Sequence, residues 1–152
     1  MCIRDSYYGH LHIVKYLVSD FSCNPSVDGL YGQLTPLHFA CMAVCSKETA
    51  LDIIKYLIKE CNSDYDLPTI NGDSPLMVLL STKSEWNSVV QHLVCDCTCD
   101  LSQKNTRGET ALHIACAKEN SEAVKMIVET GVDPNVEDEA GNTPLHLSLI
   151  HI

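Results

Sequence analysis

The chain has 152 residues, of which 45% are hydrophobic and 20% charged, a balance that suits one folded domain and excludes a disordered chain. Twenty acidic residues against ten basic ones leave a formal net charge of −10, which argues against general binding to nucleic acid or acidic membranes, because phosphate contacts need clustered Lys and Arg. No apolar run approaches the ~20 residues that a bilayer-spanning helix requires.

In chain order, the first segment is unlike the interior of the chain. Met1–Ser6 reads MCIRDS and Leu147–Ile152 reads LSLIHI. ATG TGT ATA AGA GAC AG encodes the first, and its reverse complement encodes the second once the last codon is completed. That DNA element resembles the mosaic-end adapter of transposase-based library preparation. Segments 1–6 and 147–152 are therefore expected to be adapter-derived and are set aside before fold reasoning. On this reading the natural sequence is 7–146, truncated at both ends.

Between these ends, apolar helical patterns alternate with polar turns. HLHIVKYLVS (10–19) is predicted to be an amphipathic helix, followed by a short helix from Thr35 in TPLHFAC. ALDIIKYLIK (50–59) places Ile53, Ile54, Leu57 and Ile58 on one broad stripe. Then come SPLMVLLS from Ser74, SVVQHLVC (88–95), TALHIACA from Thr110, EAVKMIVE (122–129) and TPLHLSLI from Thr143. Thr35, Ser74, Thr110 and Thr143 suit an N-cap, with hydroxyls that accept from orphan first-turn amides. Pro36, Pro75 and Pro144 suit the first helical position. Small Ala40 and Ala115 allow close helix approach. Gly32, Gly72, Gly108 and Gly141 fall in the turn before each cap, where positive φ is common. Helix is predicted to continue from Leu145 to about Ile150, with Leu149 at a position that prefers a small side chain.

These elements repeat. The four caps are 39, 36 and 33 residues apart. The central polar residue of each longer helix (Lys15, Lys55, Gln91, Lys125) precedes the next glycine by 17, 17, 17 and 16 residues. Insertions at 44–49 and 82–87 account for most of the variation in period. Gly-x-Thr-Pro-Leu-His-x-Ala, an apolar helix and then Asp133-Pro134-Asn135 resemble the ankyrin repeat, whose period is about 33 with a Thr-Pro-Leu-His core. Thr110–Asn135 matches closely, and Thr35–Cys41 matches with one extra residue after Gly32. The Ser74 unit departs most, with Met77 in place of His. The resemblance covers 8–146. It implies an all-α solenoid of stacked helix-turn-helix units with β-hairpin-like loops. The expected units are a partial repeat at 7–28, repeats at about 29–68, 69–104 and 105–137, and a truncated one at 138–146. Each unit carries too much apolar face to stand alone, and stacking buries it. A missing flanking repeat should leave Ile13, Val14 and Leu17 partly uncovered.

Several residues invite a chemical role. His38, His113 and His146 share one repeat position, which fits a structural imidazole better than an acid–base group, one that the resemblance implies bonds near the Thr hydroxyl and the turn. His92 is expected to face outward. Cys95, Cys97 and Cys99 with His92 could form a tetrahedral metal or redox site. Their spacing is not the paired Cys-x-x-Cys of common zinc modules, and the repeat register makes Cys97 and Cys99 packing positions at the end of a helix. Nine cysteines, one of them in the adapter segment, spread through such a register suit a reducing, cytoplasmic setting. Gly29–Gly32 lacks the spacing and lysine of a phosphate loop. Asp64, Asp66, Glu137, Asp138 and Glu139 are expected to be solvated loop carboxylates. No catalytic set emerges and no cofactor is implied.

The expected function is protein binding, without catalysis. Stacked repeats make an extended concave surface from hairpin tips and first helices. The resemblance places Leu30, Tyr31, Gln33, Ile70, Asn71, Asp73, Thr106, Arg107, Glu109, Glu139 and Asn142 at the tips. It places Met42, Ala43, Ser81, Thr82, Ala117 and Lys118 on the first-helix face. Tyr31 and Arg107 are the foremost anchor candidates, because aromatic residues and Arg dominate binding hot spots. The partner is another protein, and the array is expected to belong to a larger one. An alternative is a regulatory or targeting array attached to an enzyme or channel whose active part lies elsewhere.

Overall fold

A computed structural model of the chain describes residues 8–19, 34–83 and 85–150, excepting the side chains of 17–19 and 150. Among these, helices α1 (Leu11–Ser19), α2 (Pro36–Cys41), α3 (Lys47–Lys59), α4 (Pro75–Thr82), α5 (Asn87–Gln91), α6 (Ala111–Ala117), α7 (Ser121–Glu129) and α8 (Pro144–Ile150) follow in order. A π turn at His92–Asp96 prolongs α5. Short α2, α4, α6 and α8 pack on one another in sequence, and α1, α3, α5 and α7 pack likewise behind them. The result is a two-layered solenoid of antiparallel helix pairs, as the repeat implies.

The caps explain where the short helices start. Thr35 is extended (φ −86°, ψ 166°) with Pro at the next position, so the helix begins there without losing an amide. His38 lies one turn in, and its Nδ1 accepts from the Thr35 amide at 3.1 Å and from the Thr35 hydroxyl at 2.9 Å. Thr110 and His113 reproduce both bonds at 3.1 and 2.9 Å. A backbone N–H can only donate, so Nδ1 is the bare nitrogen and Nε2 carries the hydrogen. Nε2 of His113 then donates to the carbonyl of Asn142 in the next repeat, 3.1 Å away. One imidazole thus caps its own helix and ties two repeats together. The expected cap thus takes a reciprocal form, the Thr35 hydroxyl facing the His38 amide while the His38 ring takes the Thr35 amide, and Thr110 with His113 does the same. Ser74, which has Met77 in place of that histidine, does accept from the Met77 amide, at 3.4 Å.

The core runs between the layers. Ile53, Ile54 and Leu57 of α3 have no exposed surface, nor do Leu79 and Leu80 of α4 or Ile127 of α7. Each such side chain contributes about 1.5–3 kcal/mol by leaving water. Ala40 and Ala115 are also fully buried, and their small size lets neighbouring short helices approach. Val14 is completely covered and Ile13 partly so, so α1 packs more tightly than expected; the side chain of Leu17 and all of 1–7 lie outside the described residues. α8 is helical through Ile150, but Leu149 is 57% exposed rather than crowded.

Candidate functional site

The turns before α4, α6 and α8 are built alike. Thr69 donates its amide to the Asp73 carbonyl at 2.9 Å, Asn105 to Glu109 at 3.0 Å and Asp138 to Asn142 at 2.9 Å. Each closes a hairpin-like loop. One side-chain oxygen then clamps the loop from within by accepting two amides. Thr69 Oγ1 takes those of Asn71 and Asp73, both at 3.2 Å. Asn105 Oδ1 takes those of Arg107 and Glu109, both at 3.0 Å. Asp138 Oδ1 takes those of Ala140 and Asn142 at 2.9 and 2.8 Å. Hydrogen bonds to the charged form favour it, and those from Asn142 and Ala140 hold the Asp138 carboxyl below its ordinary range.

The tips are then stitched to each other. The Thr106 amide donates to the Asn71 carbonyl at 2.9 Å, and the Glu139 amide donates to the Arg107 carbonyl at 3.0 Å. These bonds turn separate loops into one strip with a β-like ladder along it. Asn105 Nδ2 reinforces the strip by donating to Asp73 Oδ1 and Glu109 Oε2, each at 3.0 Å. Gly108 has φ +73°, and a Cβ there would sit 2.7 Å from the Glu139 nitrogen; the close approach of neighbouring tips depends on its hydrogen.

The strip presents a mixed surface. Ile70 is 66% exposed. Asn71, Thr106 and Glu139 are exposed as well. The Arg107 side chain is 73% exposed and pairs with Glu109 Oε2 at 2.7 Å. Asn71, Asp73, Asn105, Thr106 and Arg107 line a cavity of about 330 Å³ between adjacent tips. Sequence reasoning therefore brings Ile70, Asn71, Asp73, Thr106, Arg107, Glu109, Glu139 and Asn142 to one surface. Asp73, Glu109 and Asn142 are half-buried there and their side chains are engaged within the strip. Leu30, Tyr31 and Gln33 lie outside the described residues.

The first-helix candidates divide. Lys118 is exposed and Ala117 half-buried. Ser81 and Thr82 are exposed, but their hydroxyls turn back to the Val78 carbonyl at 2.9 and 2.8 Å. Met42 is half-buried against the core. Ala43 is wholly buried and cannot present its side chain to a partner. Its amide folds back to the Ala40 carbonyl at 3.2 Å, so the chain is already turning inward.

The family model for ankyrin repeats (three copies) matches residues 3–86 and 79–151. The chain belongs to the ankyrin repeat family. Similar curated proteins include α-latrocrustotoxin-Lt1a of Latrodectus tredecimguttatus, 23% identical over 93% of this chain and 13% of the toxin. Transient receptor potential cation channel subfamily V member 5 of Homo sapiens is 38% identical over 49% of this chain and 11% of the channel. Neurogenic locus notch homolog protein 1 of Danio rerio is 29% identical over 74% of this chain and 4% of that protein. The chain thus spans a small part of the length of these relatives. Ankyrin repeats are protein-interaction modules, and the family is generally non-catalytic.

Two other expectations change. His92 is 3% exposed rather than outward-facing. In an α-helix a residue five positions on lies well round the cylinder, but the π turn bonds the Cys97 amide to the His92 carbonyl at 3.1 Å and reorients the end of the helix. The three cysteines are also split. Cys95 is exposed, Cys97 half-buried and Cys99 buried, its thiol pushed up to about 12 chiefly by burial. Among the described residues no group of three or more His, Cys, Asp or Glu is placed to hold a metal ion. Nor are Asp66 and Asp138 merely solvated: Asp66 Oδ1 accepts the Asp100 amide at 2.9 Å, and partial burial raises its carboxyl. The clamping roles of Thr69, Asn105 and Asp138 escaped sequence reasoning. Their signal is a side-chain oxygen five residues before each N-cap, hidden because three residue types share the job.

Proposed function

We propose that this array binds a partner protein through the tip strip around Ile70, Asn71, Thr106, Arg107 and Glu139. The observation that carries this reading is the inter-tip ladder, which holds exposed side chains from successive repeats in fixed relation. Binding then costs little ordering of the loops. Ile70 offers exposed apolar area on the strip, and most donors of the exposed Arg107 fork extend beyond its pair with Glu109. The adjoining first-helix face contributes Lys118 and the more recessed Ala117. Leu30, Tyr31 and Gln33 are included as tip residues of the preceding repeat, with Tyr31 as an aromatic anchor. An acidic chain selects a protein partner over nucleic acid, and thiols in a packed register suit a cytoplasmic setting.

The array is also read as the regulatory or targeting part of a larger protein, because its match spans 11% of a cation channel and 13% of a toxin. Among the described residues no helix is long and apolar enough to cross a membrane.

The test is quantitative capture from cell extract by immobilised chain. Ile70→Ala, Thr106→Ala and Arg107→Ala together should abolish capture of specific proteins. Glu122→Ala with Lys125→Ala, on exposed positions of α7, should leave it intact. Capture that survives the tip substitutions and fails with the α7 pair would reject the assignment.

A further inference from the structure

Away from the tips, the π turn assembles three reactive groups that the binding function does not use. In an α-helix, at 100° per residue, Asp96 would face His92 but Cys97 would point away. The π turn's bond from the Cys97 amide to the His92 carbonyl, 3.1 Å long, brings the fifth residue back beneath the first. His92 Nδ1 stands 2.7 Å from Asp96 Oδ2. His92 Nε2 stands 3.6 Å from Cys97 Sγ. Asp96 is an acceptor when ionised, so Nδ1 carries the hydrogen and Nε2 faces the thiol as a bare base. The hydrogen bond from His92 keeps the Asp96 carboxyl below its ordinary range, with smaller help from Lys59 and Lys55 of α3. A thiol, a base and a carboxylate that orients the base are the parts of an activated nucleophile. π turns of one turn's length recur at functional sites.

We propose that Cys97, activated by His92 and oriented through Asp96, is a thiol-modification site that exchanges with small disulfides. The Cys97 proton passes to His92 Nε2. The thiolate attacks one sulfur of the incoming disulfide, forming a Cys97–S bond as the original S–S bond breaks. The departing thiolate takes the proton back from His92. The incoming disulfide is reduced by the same two electrons that oxidise Cys97 into the mixed disulfide, so no other reactant is needed.

Burial and the charge of Asp96 oppose a lone thiolate at Cys97, as does Asp66, while Lys59 favours it. The ion pair is a different species. Its imidazolium lies against Asp96, so the carboxylate that penalises the lone thiolate stabilises the cation beside it. Cys99 is buried and close enough for its charge to be felt, and its thiol stays protonated. Exposed Cys95 lies two residues away and serves as an internal reference.

The experiment follows glutathione disulfide exchange on the whole chain, site by site, by mass spectrometry from pH 5.5 to 9. An ordinary thiol of pKa about 8.5 is roughly 0.3% thiolate at pH 6, and its rate falls tenfold per pH unit below that range. Exposed Cys95 is the comparison thiol in the same spectra. Cys97 should depart from the ordinary thiol line, reacting at least about tenfold faster than Cys95 at pH 6 and losing that lead by pH 9. His92→Gln should remove the lead, and Asp96→Asn should reduce it, with Cys95 unchanged in both. A Cys97 rate that parallels Cys95 across the range overturns the proposal using the unaltered chain alone, whether or not either variant folds. A lead that persists in folded His92→Gln overturns it as well.

Discussion

Gly108→Ala isolates the force that holds neighbouring tips together. Gly108 has φ +73°, and a Cβ at that position would lie 2.7 Å from the backbone nitrogen of Glu139. The left-handed conformation costs a residue with a side chain about 1–2 kcal/mol. The clash is with backbone, which cannot rotate aside, so the Glu139-to-Arg107 hydrogen bond of 3.0 Å must lengthen or break. Losing it adds about 0.5–1.5 kcal/mol. The narrower unfolded ensemble of alanine returns about 0.4–1 kcal/mol. The net expectation is a loss of roughly 0.5–3 kcal/mol from these terms. Gly131→Ala supplies the control. Gly131 has φ +88° with nothing within 4 Å of its ideal Cβ, so it carries the conformational cost without the clash. Urea unfolding of both variants should place Gly108→Ala below Gly131→Ala, and the Glu139 amide should exchange faster only in the former. Equal destabilisation with unchanged Glu139 exchange would refute the claim that tip contact needs the glycine hydrogen.

His113→Leu should cost about 2–4 kcal/mol in urea unfolding, because it strands the buried Thr110 amide and removes the imidazole's bonds to the Thr110 hydroxyl and to the Asn142 carbonyl of the next repeat; a change under about 0.5 kcal/mol would dismiss the imidazole as a fastener. Asp138→Asn should be nearly neutral at pH 7, since Asn105 makes the same clamp one repeat earlier. The depressed folded-state titration of Asp138 means that its stabilisation is fully present above the ordinary carboxylate range and is lost as pH falls through the lower folded value. NMR titration of Asp138 should find that lowered midpoint, and Asp138→Asn should flatten the acid limb of the stability curve. Cys41 has no exposed surface and its thiol is pushed up to about 12 by burial, so alkylation at pH 8 should follow global unfolding; modification as fast as exposed Cys95 would contradict this. Amides of Val89–Val94 should exchange faster than those of Leu112–Ile127, because α5 has five residues before the π turn and its repeat has Met77 where the histidine fastener would stand; greater protection there would show that half-buried Trp86 compensates.

The architecture was legible because it is set by patterns short enough to read along the chain. Extended Thr35 and Thr110 before a helix, small Ala40 and Ala115 facing a neighbour, and the Ile53–Ile54–Leu57 stripe each specify a local shape and a face that must be covered. Recurrence in phase supplies the cover, since one repeat's apolar face fits the next. The candidate tip residues were legible for the same reason, by their fixed distance from each cap. Position in a repeat does not, however, say whether a side chain is free or engaged. Asp73 and Glu109 are held by Asn105, and Ala43 is buried by the chain's inward turn. The clamps at Thr69, Asn105 and Asp138 depend on an oxygen in the right place rather than on one residue type. The approach of Cys97 to buried His92 depends on one hydrogen bond shifting from the fourth residue to the fifth. Periodicity assumes a constant angle per residue, and a π turn changes that angle locally. Only the packing of α5 against α3 and α7 shows where the displaced side chains go.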